Sequence, residues 1–465
     1  MNRGDQMQAA VKRKPGTRLT EGPIMKTLLA FAIPIVLTNL IQQLYSMVDV
    51  MVIGQFVGTI GTVGVNTGGE IADLVTPVAM GFSTAGQIYI AQLVGSGDET
   101  KTKKTIATLM TFMLIVSSLL ALVTILFSTP ILQALNCPAE AMGEARAYMI
   151  TTACGMPFIF GYNAVVGILR GMGESKKPLF FIIVAAVINI VLDILLVAVF
   201  KLSAFGTAIA TVASQLGSFA AALYYLGQHK ERFGYRFSLR SFTSMDGKIL
   251  WVLVKLGIPQ VVRSLLVRFS MLWVNATANS YGMTVSAANS VGNKIQKFLD
   301  VFIQGVDTAA AAMIGQNLGA KKIDRAGKVT LYAWYATLTS AAIVSALVWL
   351  IPRQIFGAFN PDPAVIDIGV VYLHLMTIHF FVSATVGSFQ AMVTGCGFVS
   401  LGFAIGILDG VICKIGLSLF FVNVMNMGYE GLFWGVCTSR ILPAILCIWY
   451  YCSGKWKTRK LLTED

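Results

Sequence analysis

Apolar residues dominate runs of roughly twenty positions along nearly the whole chain, and short polar segments separate one run from the next. At a helical rise of about 1.5 Å per residue, some twenty apolar residues cover the roughly 30 Å hydrocarbon core of a bilayer. The pattern predicts about twelve membrane-spanning helices, at 28–52, 63–94, 105–128, 147–170, 179–201, 204–227, 249–277, 284–318, 328–350, 365–394, 400–424 and 430–452. A β-barrel would instead alternate apolar and polar positions over segments of about ten residues. The runs here are continuous, so the expected fold class is an all-α integral membrane protein.

Composition agrees with that reading. Hydrophobic residues make up 56% of the chain and charged residues 12%, and the mean hydropathy is +0.72, beyond the usual range of a soluble domain. A net charge of +13 would by itself suit a nucleic-acid partner, but the basic residues collect in alternate loops. Lys12, Arg13, Lys14, Arg18 and Lys26 precede the first span, Lys101, Lys103 and Lys104 follow the second, and Arg170, Lys176 and Lys177 follow the fourth. Lys230, Arg232, Arg236, Arg240 and Lys248 follow the sixth, Lys321, Lys322, Arg325 and Lys328 the eighth, and Lys455, Lys457, Arg459 and Lys460 the last. The positive-inside rule then places both termini in the cytoplasm of a multi-pass plasma-membrane protein, and no nucleic-acid partner is expected. The seven cysteines have no regular spacing and read as small packing residues. No H-E-x-x-H, G-x-S-x-G or Walker A pattern occurs, so the chain is not expected to be an enzyme, and "RGMGES" at 170–175 reads as a cytoplasmic turn.

The spans repeat. "FAIPIVLTNLIQQLYSMVDV" at 31–50 is echoed by "LGIPQVVRSLLVRFSMLWVN" at 256–275, and "IAQLVGSGD" at 90–98 by "IGQNLGAKK" at 314–322. Gln316 stands opposite Gln92 (316 − 92 = 224), Asn360 opposite Asn136 (360 − 136 = 224) and Gly395 opposite Gly171 (395 − 171 = 224). Two halves of six spans enter the membrane the same way round, as parallel repeats about an axis along the membrane normal. The expected organisation is a basic tail at 1–25, a first lobe at 26–227, a cytoplasmic linker at 228–248, a second lobe at 249–452 and a tail at 453–465. Two bundles of this kind suit alternating access, which makes a transporter the leading class.

Some spans carry polar groups that a lipid-facing helix would not. Gln42, Tyr45, Ser46 and Asp49 differ by three, four and seven positions, so they share one stripe of the first helix, with Asn39 roughly extending it. Asp193 lies deep in the fifth span, one turn from Asn189. Carboxylates in hydrocarbon are expensive and mark a wet cavity or a paired site, and two in one lobe could take up a proton near neutral pH. In the second half, Arg263 and Arg268 lie in the seventh span and Asp300 and Asp307 in the eighth, and pairing between these acids and arginines is expected. Glu70 and Asp73 could extend an acidic vestibule or sit at the outer interface, and His374 and His379 receive no role.

The chain is similar to the multidrug and toxic compound extrusion (MATE) family over roughly residues 20–452. The motifs that carry the likeness are Ile-Pro opening each half, "YSMVDVMVIGQFVG" at 45–58, "IAQLVG" and "IGQNLG", "GILRGMGESKKP" at 167–178 and "NIVLD" at 189–193. The resemblance implies two six-helix lobes in a V, and export of amphipathic, usually cationic compounds in exchange for protons or sodium. It implies that Asp49, Asp193 and Asn189 form the ion-coupling group of the proton-coupled branch, and that Gln42, Tyr45, Asn163 and Thr211 match its substrate-cavity residues. Pro34 matches a family proline proposed to let the first helix bend, although a proline near a helix start is commonplace. Ile194 stands where the family often has a proline after the second acid, a departure at the expected bend of the fifth helix. The positions that match acids of the sodium-binding branch are Val267 and Ser383, with His379 replacing a tyrosine, so a proton is expected as coupling ion in preference to sodium. No cofactor is expected; the partners are a small-molecule substrate and the bilayer, and the chain is expected to act as a monomer. A lipid-linked oligosaccharide flippase is the alternative if Arg263 and Arg268 face the cavity, with a membrane receptor or scaffold third.

Overall fold

The computed structural model describes residues 17–233 and 245–464. The outer part of the basic N-terminal tail and the centre of the predicted linker, with Lys12, Arg13, Lys14, Arg236 and Arg240, lie outside the described residues. Among the described residues, twelve helices are long and apolar enough to cross a membrane. They are α1 (Ile24–Phe56), α2 (Gly58–Ser96), α3 (Glu99–Leu126), α4 (Met142–Gly171), α5 (Lys176–Val199) and α6 (Ser203–Gln228) in the first half. The second half holds α7 (Gly247–Ser280), α8 (Met283–Gly319), α9 (Ile323–Leu350), α10 (Pro363–Gly395), α11 (Val399–Val424) and α12 (Gly428–Cys452). Every predicted span falls on one of them, although the third and fifth were drawn two residues too far (128 − 126 and 201 − 199). Several helices outrun the bilayer: α2, at 39 residues, is about 58 Å long at the standard rise, so it projects beyond a roughly 30 Å core or tilts within it.

The helices form two lobes of six, and the first helix of each half bridges between them. α1 packs against α5 of its own lobe and α8 of the other; α7 packs against α11 of its own lobe and α2 of the other. Leu28, Phe31 and Ile35 of α1 are buried in the second lobe's core, while Leu253 and Leu256 of α7 are buried in the first lobe's. The exchange follows the repeat, because a parallel repeat makes reciprocal contacts about its axis.

Within the lobes, close helix approach rests on small residues. Gly64 and Gly68 of α2 meet α4, where a Cβ on Gly68 would lie 2.6 Å from the Ala145 carbonyl oxygen. The spacing is Gly-x-x-x-Gly, which lets two backbones touch without driving side chains into each other. Pro34 stands ten residues inside α1 (34 − 24), and the helix continues through it, which corrects the reading of Pro34 as a helix-start proline. The fifth helix departs from α geometry without a proline: after Asp193 it winds as a π-helix over Ile194–Val199, and Phe200 N donates five residues back to Leu195 O at 2.9 Å. The repeat-related helix α11 does the same over Phe420–Val424.

Both described chain ends lie at one end of the molecule, beside the turns at 97–98, 172–175, 320–322 and 396–398. This is the end that carries the basic loops. Lobe-to-lobe contacts run from that basic end to Arg268 of α7, which donates from Nη2 to Oδ2 of Asp73 on α2 at 2.6 Å. Toward the opposite end α2 and α7 both continue beyond this pair.

Candidate functional site

The polar stripe of α1 does not point one way. Gln42 and Ser46 are exposed, while Tyr45 and Asp49 are partly buried on the side of α5 and α6. Asp49 lies two turns before the end of α1. Its partner across the lobe is Asp193, which is fully buried at the last α-helical position of α5, with Asn189 one turn back and also buried. The two carboxyl groups are neighbours within side-chain hydrogen-bonding reach of each other, so one shared proton would bridge them. Both oxygens of Asp193, Oδ1 of Asp49 and Oδ1 of Asn189 are buried with no hydrogen-bond partner among the described residues. Three carboxyl oxygens of a neighbouring pair are thus buried without a donor, and such a pair is costly unless a positive charge or a proton joins it.

Tyr45 links this pair to the rest of the lobe. Its hydroxyl is within hydrogen-bonding reach of Gln42 on its own helix and Gln215 on α6, and it lies in the field of Asp49. Gln215 was not singled out by sequence; it sits one turn from Thr211, the predicted position on the same helix, and is the group that extends to Tyr45. Tyr148 of α4, likewise unpredicted, lies in the field of Asp49, Asp73 and Asp193. The other two predicted cavity residues are half-buried: Asn163 Nδ2 is turned to backbone and donates to Ile159 O at 2.8 Å, while only the main-chain carbonyl of Thr211 is engaged, accepting from Ser214 Oγ at 2.7 Å. A cavity of about 690 Å³ at the basic end is lined by Lys26, Glu174, Lys177 and Tyr225 among others, and includes none of the predicted site residues.

The second lobe is organised differently. Nε2 of His379 on α10 sits 2.8 Å from Gln296 Nε2, 3.1 Å from Ser383 Oγ and 3.5 Å from Asp300 Oδ2. Ser383 Oγ accepts from Arg440 Nη1 of α12 at 3.0 Å, and Arg440 Nε lies 3.4 Å from Asp409 Oδ1 of α11. Lys414, buried on the same helix, Arg263 and His379 add to the field around Asp409, while Arg263 and Arg440 are the charged neighbours of Asp307. Three acids (Asp300, Asp307, Asp409) therefore stand among three fixed cations (Arg263, Arg440, Lys414), an electrically balanced interior cluster. Asp409, Lys414 and Arg440 were missed by sequence reading, although each is an ionisable residue inside an apolar span, which is a sufficient signal.

This geometry corrects one expected pairing and resolves another. Arg263 does neighbour Asp307, but Arg268 does not join Asp300 or Asp307; it crosses to the first lobe and pairs with Asp73, with Glu70 Oε2 at 3.7 Å. Glu70 and Asp73 are thereby placed at the lobe-to-lobe contact.

The MatE family model matches residues 34–195 and 259–419, one segment in each half. The chain belongs to that family. It is a membrane transporter and not an enzyme. Among relatives, it is 27% identical over 340 residues to "Probable multidrug resistance protein YoeA" of Bacillus subtilis (strain 168), covering 72% of this chain and 73% of that protein. It is 21% identical to the "Multidrug export protein MepA" of Staphylococcus saprophyticus over 91% of this chain and 92% of the relative. A solved structure described as the outward-facing conformation of a multidrug resistance MATE family transporter superposes with a TM-score of 0.89 at 20% identity, over 95% of this chain and 98% of that one. A transporter of the same superfamily from Pyrococcus furiosus, described as having a binding pocket of reverse polarity, superposes at 0.86 with 21% identity, over 96% of this chain and all of that one. At these identities the superpositions establish that the MATE chain has this fold. Its site chemistry has to come from its own residues.

Proposed function

We propose that this MATE transporter exports amphipathic, cationic small molecules across the plasma membrane in exchange for protons, with Asp49 and Asp193 as the coupling pair and Asn189 beside them. The carrying observation is the facing pair of carboxyl groups whose buried oxygens have no donor among the described residues. A proton is the smallest species that neutralises such a pair, and neutralising it changes what the cavity offers a cation. Proton and substrate then favour different states of one site, which is all that exchange requires. Gln42, Tyr45, Asn163 and Thr211, with Gln215, supply the few polar groups of an otherwise apolar cavity. The basic end faces the cytoplasm, the V opens outward, and the monomer is the working unit.

Sodium coupling in the second lobe finds no support in these residues. Ser383, one of the two positions that match sodium-site acids, holds the guanidinium of Arg440 at 3.0 Å, and a fixed cation repels an incoming one. The flippase reading would need free arginines on the cavity wall, whereas Arg263 and Arg268 each have carboxylate neighbours. The names of the relatives, which are multidrug resistance and export proteins, favour small molecules as cargo.

The test is efflux of cationic dyes from proteoliposomes under an imposed pH gradient or an imposed sodium gradient. Transport should follow the pH gradient, and Asp49→Asn and Asp193→Asn should each fall to background while remaining folded. Normal efflux by either variant, or wild-type efflux that answers only to sodium, would reject the assignment.

A further inference from the structure

The two glutamines that mark the sequence repeat are fully buried, and neither belongs to the acid pair or the charged cluster. Gln92 Nε2, on α2 of the first lobe, donates to Gly395 O at 2.8 Å, the last residue of α10 in the second lobe. Gln316 Nε2, on α8 of the second lobe, donates to Gly171 O at 2.9 Å, the last residue of α4 in the first lobe. The final carbonyls of a helix have no partner within it, so each lobe supplies the amide that satisfies a helix end of the other. One helical turn on, the backbones touch: a Cβ on Gly95 would lie 2.1 Å from Gln316 O, and one on Gly319 would lie 2.1 Å from Gln92 O. Gly95 and Gly319 are again related by the repeat (319 − 95 = 224).

The chain ends cross over the same place. At the C-terminal end, Leu462 N donates to Gln92 Oε1 at 3.1 Å, and Lys101 Nζ donates to Thr463 O at 3.2 Å, so a segment that follows the second lobe is tied to the first. At the N-terminal end, Leu19 O accepts from Asn317 Nδ2 at 3.1 Å, Thr20 O from Lys322 Nζ at 3.0 Å and Glu21 O from Arg325 Nη2 at 2.8 Å, so a segment that precedes the first lobe is tied to the second.

We propose that Gln92 and Gln316 form a reciprocal latch that holds the two lobes together at the basic end, and that release of both bonds is the step by which the cavity opens to that end during transport. The proposal rests on the alternating-access reading above. A cavity cannot open between α2 and α8 at this end while Gln92 holds α10 and Gln316 holds α4. Both bonds lie across one contact about one axis, so they break together: a buried amide left half-paired is costly, whereas two amides released into a flooded cavity are both hydrated. Gly95 and Gly319 set how closely the latch can shut.

The experiment uses the full chain in lipid nanodiscs with spin labels on a cysteine-depleted background, one pair at the basic end (Lys176→Cys with Lys321→Cys) and one at the opposite end (Ala139→Cys with Ala364→Cys). All four positions are exposed. Distance distributions are recorded at several pH values with and without a cationic dye. Each buried hydrogen bond lost is worth about a fivefold change in a two-state ratio, so Gln92→Ala with Gln316→Ala should raise the long-to-short ratio at the basic end about 25-fold. The short population at the opposite end should grow in step, a reciprocal response that simple loss of stability would not give. Gln92→Asn keeps the amide but shortens its reach by one methylene; it should give a smaller shift in the same direction and serves if the double variant does not fold. Unchanged ratios in a wild type that does switch would overturn the latch and leave alternating access standing. A wild type with one distance at each end under every condition would overturn both.

Discussion

At the scale of single residues, the two lobes treat buried charge in opposite ways. In the first, Asp49 and Asp193 are neighbours with no cation bonded to them among the described residues; in the second, Asp300, Asp307 and Asp409 each have a cationic neighbour. The first arrangement leaves buried carboxyl oxygens without a counter-charge, whereas the second is satisfied and resists disturbance. Arg440 is its hub, because it touches Ser383 and Asp409 and lies in the field of Asp300 and Asp307. Arg440→Ala should destabilise the protein by about 3–5 kcal/mol, since Asp409 is only 1% exposed and would lose its nearest counter-charge. Thermal unfolding in detergent should show this as a clear drop in midpoint, partly recovered when Asp409→Asn is added. An unchanged midpoint would mean that Lys414 and Arg263 alone hold Asp409. The acids of the first lobe were legible because a carboxylate inside an apolar run stands out. Gln215 and Tyr148 were not, because an uncharged polar residue in a helix says nothing of which neighbour it meets.

At the scale of elements, the helices were legible from apolar run length alone, and their irregularities only in part. Pro34 is visible in sequence, but its position ten residues inside α1, where its carbonyl accepts from Thr38 Oγ1 at 2.7 Å, follows from where the helix begins. The widened end of α5 carries no proline or glycine, so nothing in "ILLVAV" announces the π turn that follows Asp193. Small residues are a clearer signal. Gly64 and Gly68 have the spacing of a close helix crossing, and α2 and α4 use it. Gly68→Ala should cost about 1–3 kcal/mol by forcing a methyl group against the Ala145 carbonyl, measurable as a lower unfolding midpoint. Gly97→Ala is no control for this, because Gly97 has φ +78 and is strained by any side chain. Gly143→Ala, with no atom near the added carbon, is the proper comparison and should be close to neutral.

At the scale of the whole molecule, both described ends and the turns bearing Lys101, Lys176, Lys321 and Lys457 belong to one face. If that face is cytoplasmic, single cysteines at 101, 176, 321 and 457 should resist an impermeant thiol reagent applied outside intact cells, and cysteines at 140 and 362 should react. Labelling at 321 from outside would invert the topology. The membrane class, the number of spans, the parallel repeat and the presence of acids inside apolar spans of the first lobe could be read from the chain alone, because each is written in local composition or in a regular offset along the chain. Tertiary structure decided that Arg268 leaves its own lobe for Asp73, that the balanced cluster gathers on α7, α8, α10, α11 and α12, and that repeat-related glutamines bind each other's lobes. Those are relations between helices far apart in the chain. An apolar run fixes that a helix crosses the membrane, but which face it turns to which neighbour depends on packing among all twelve.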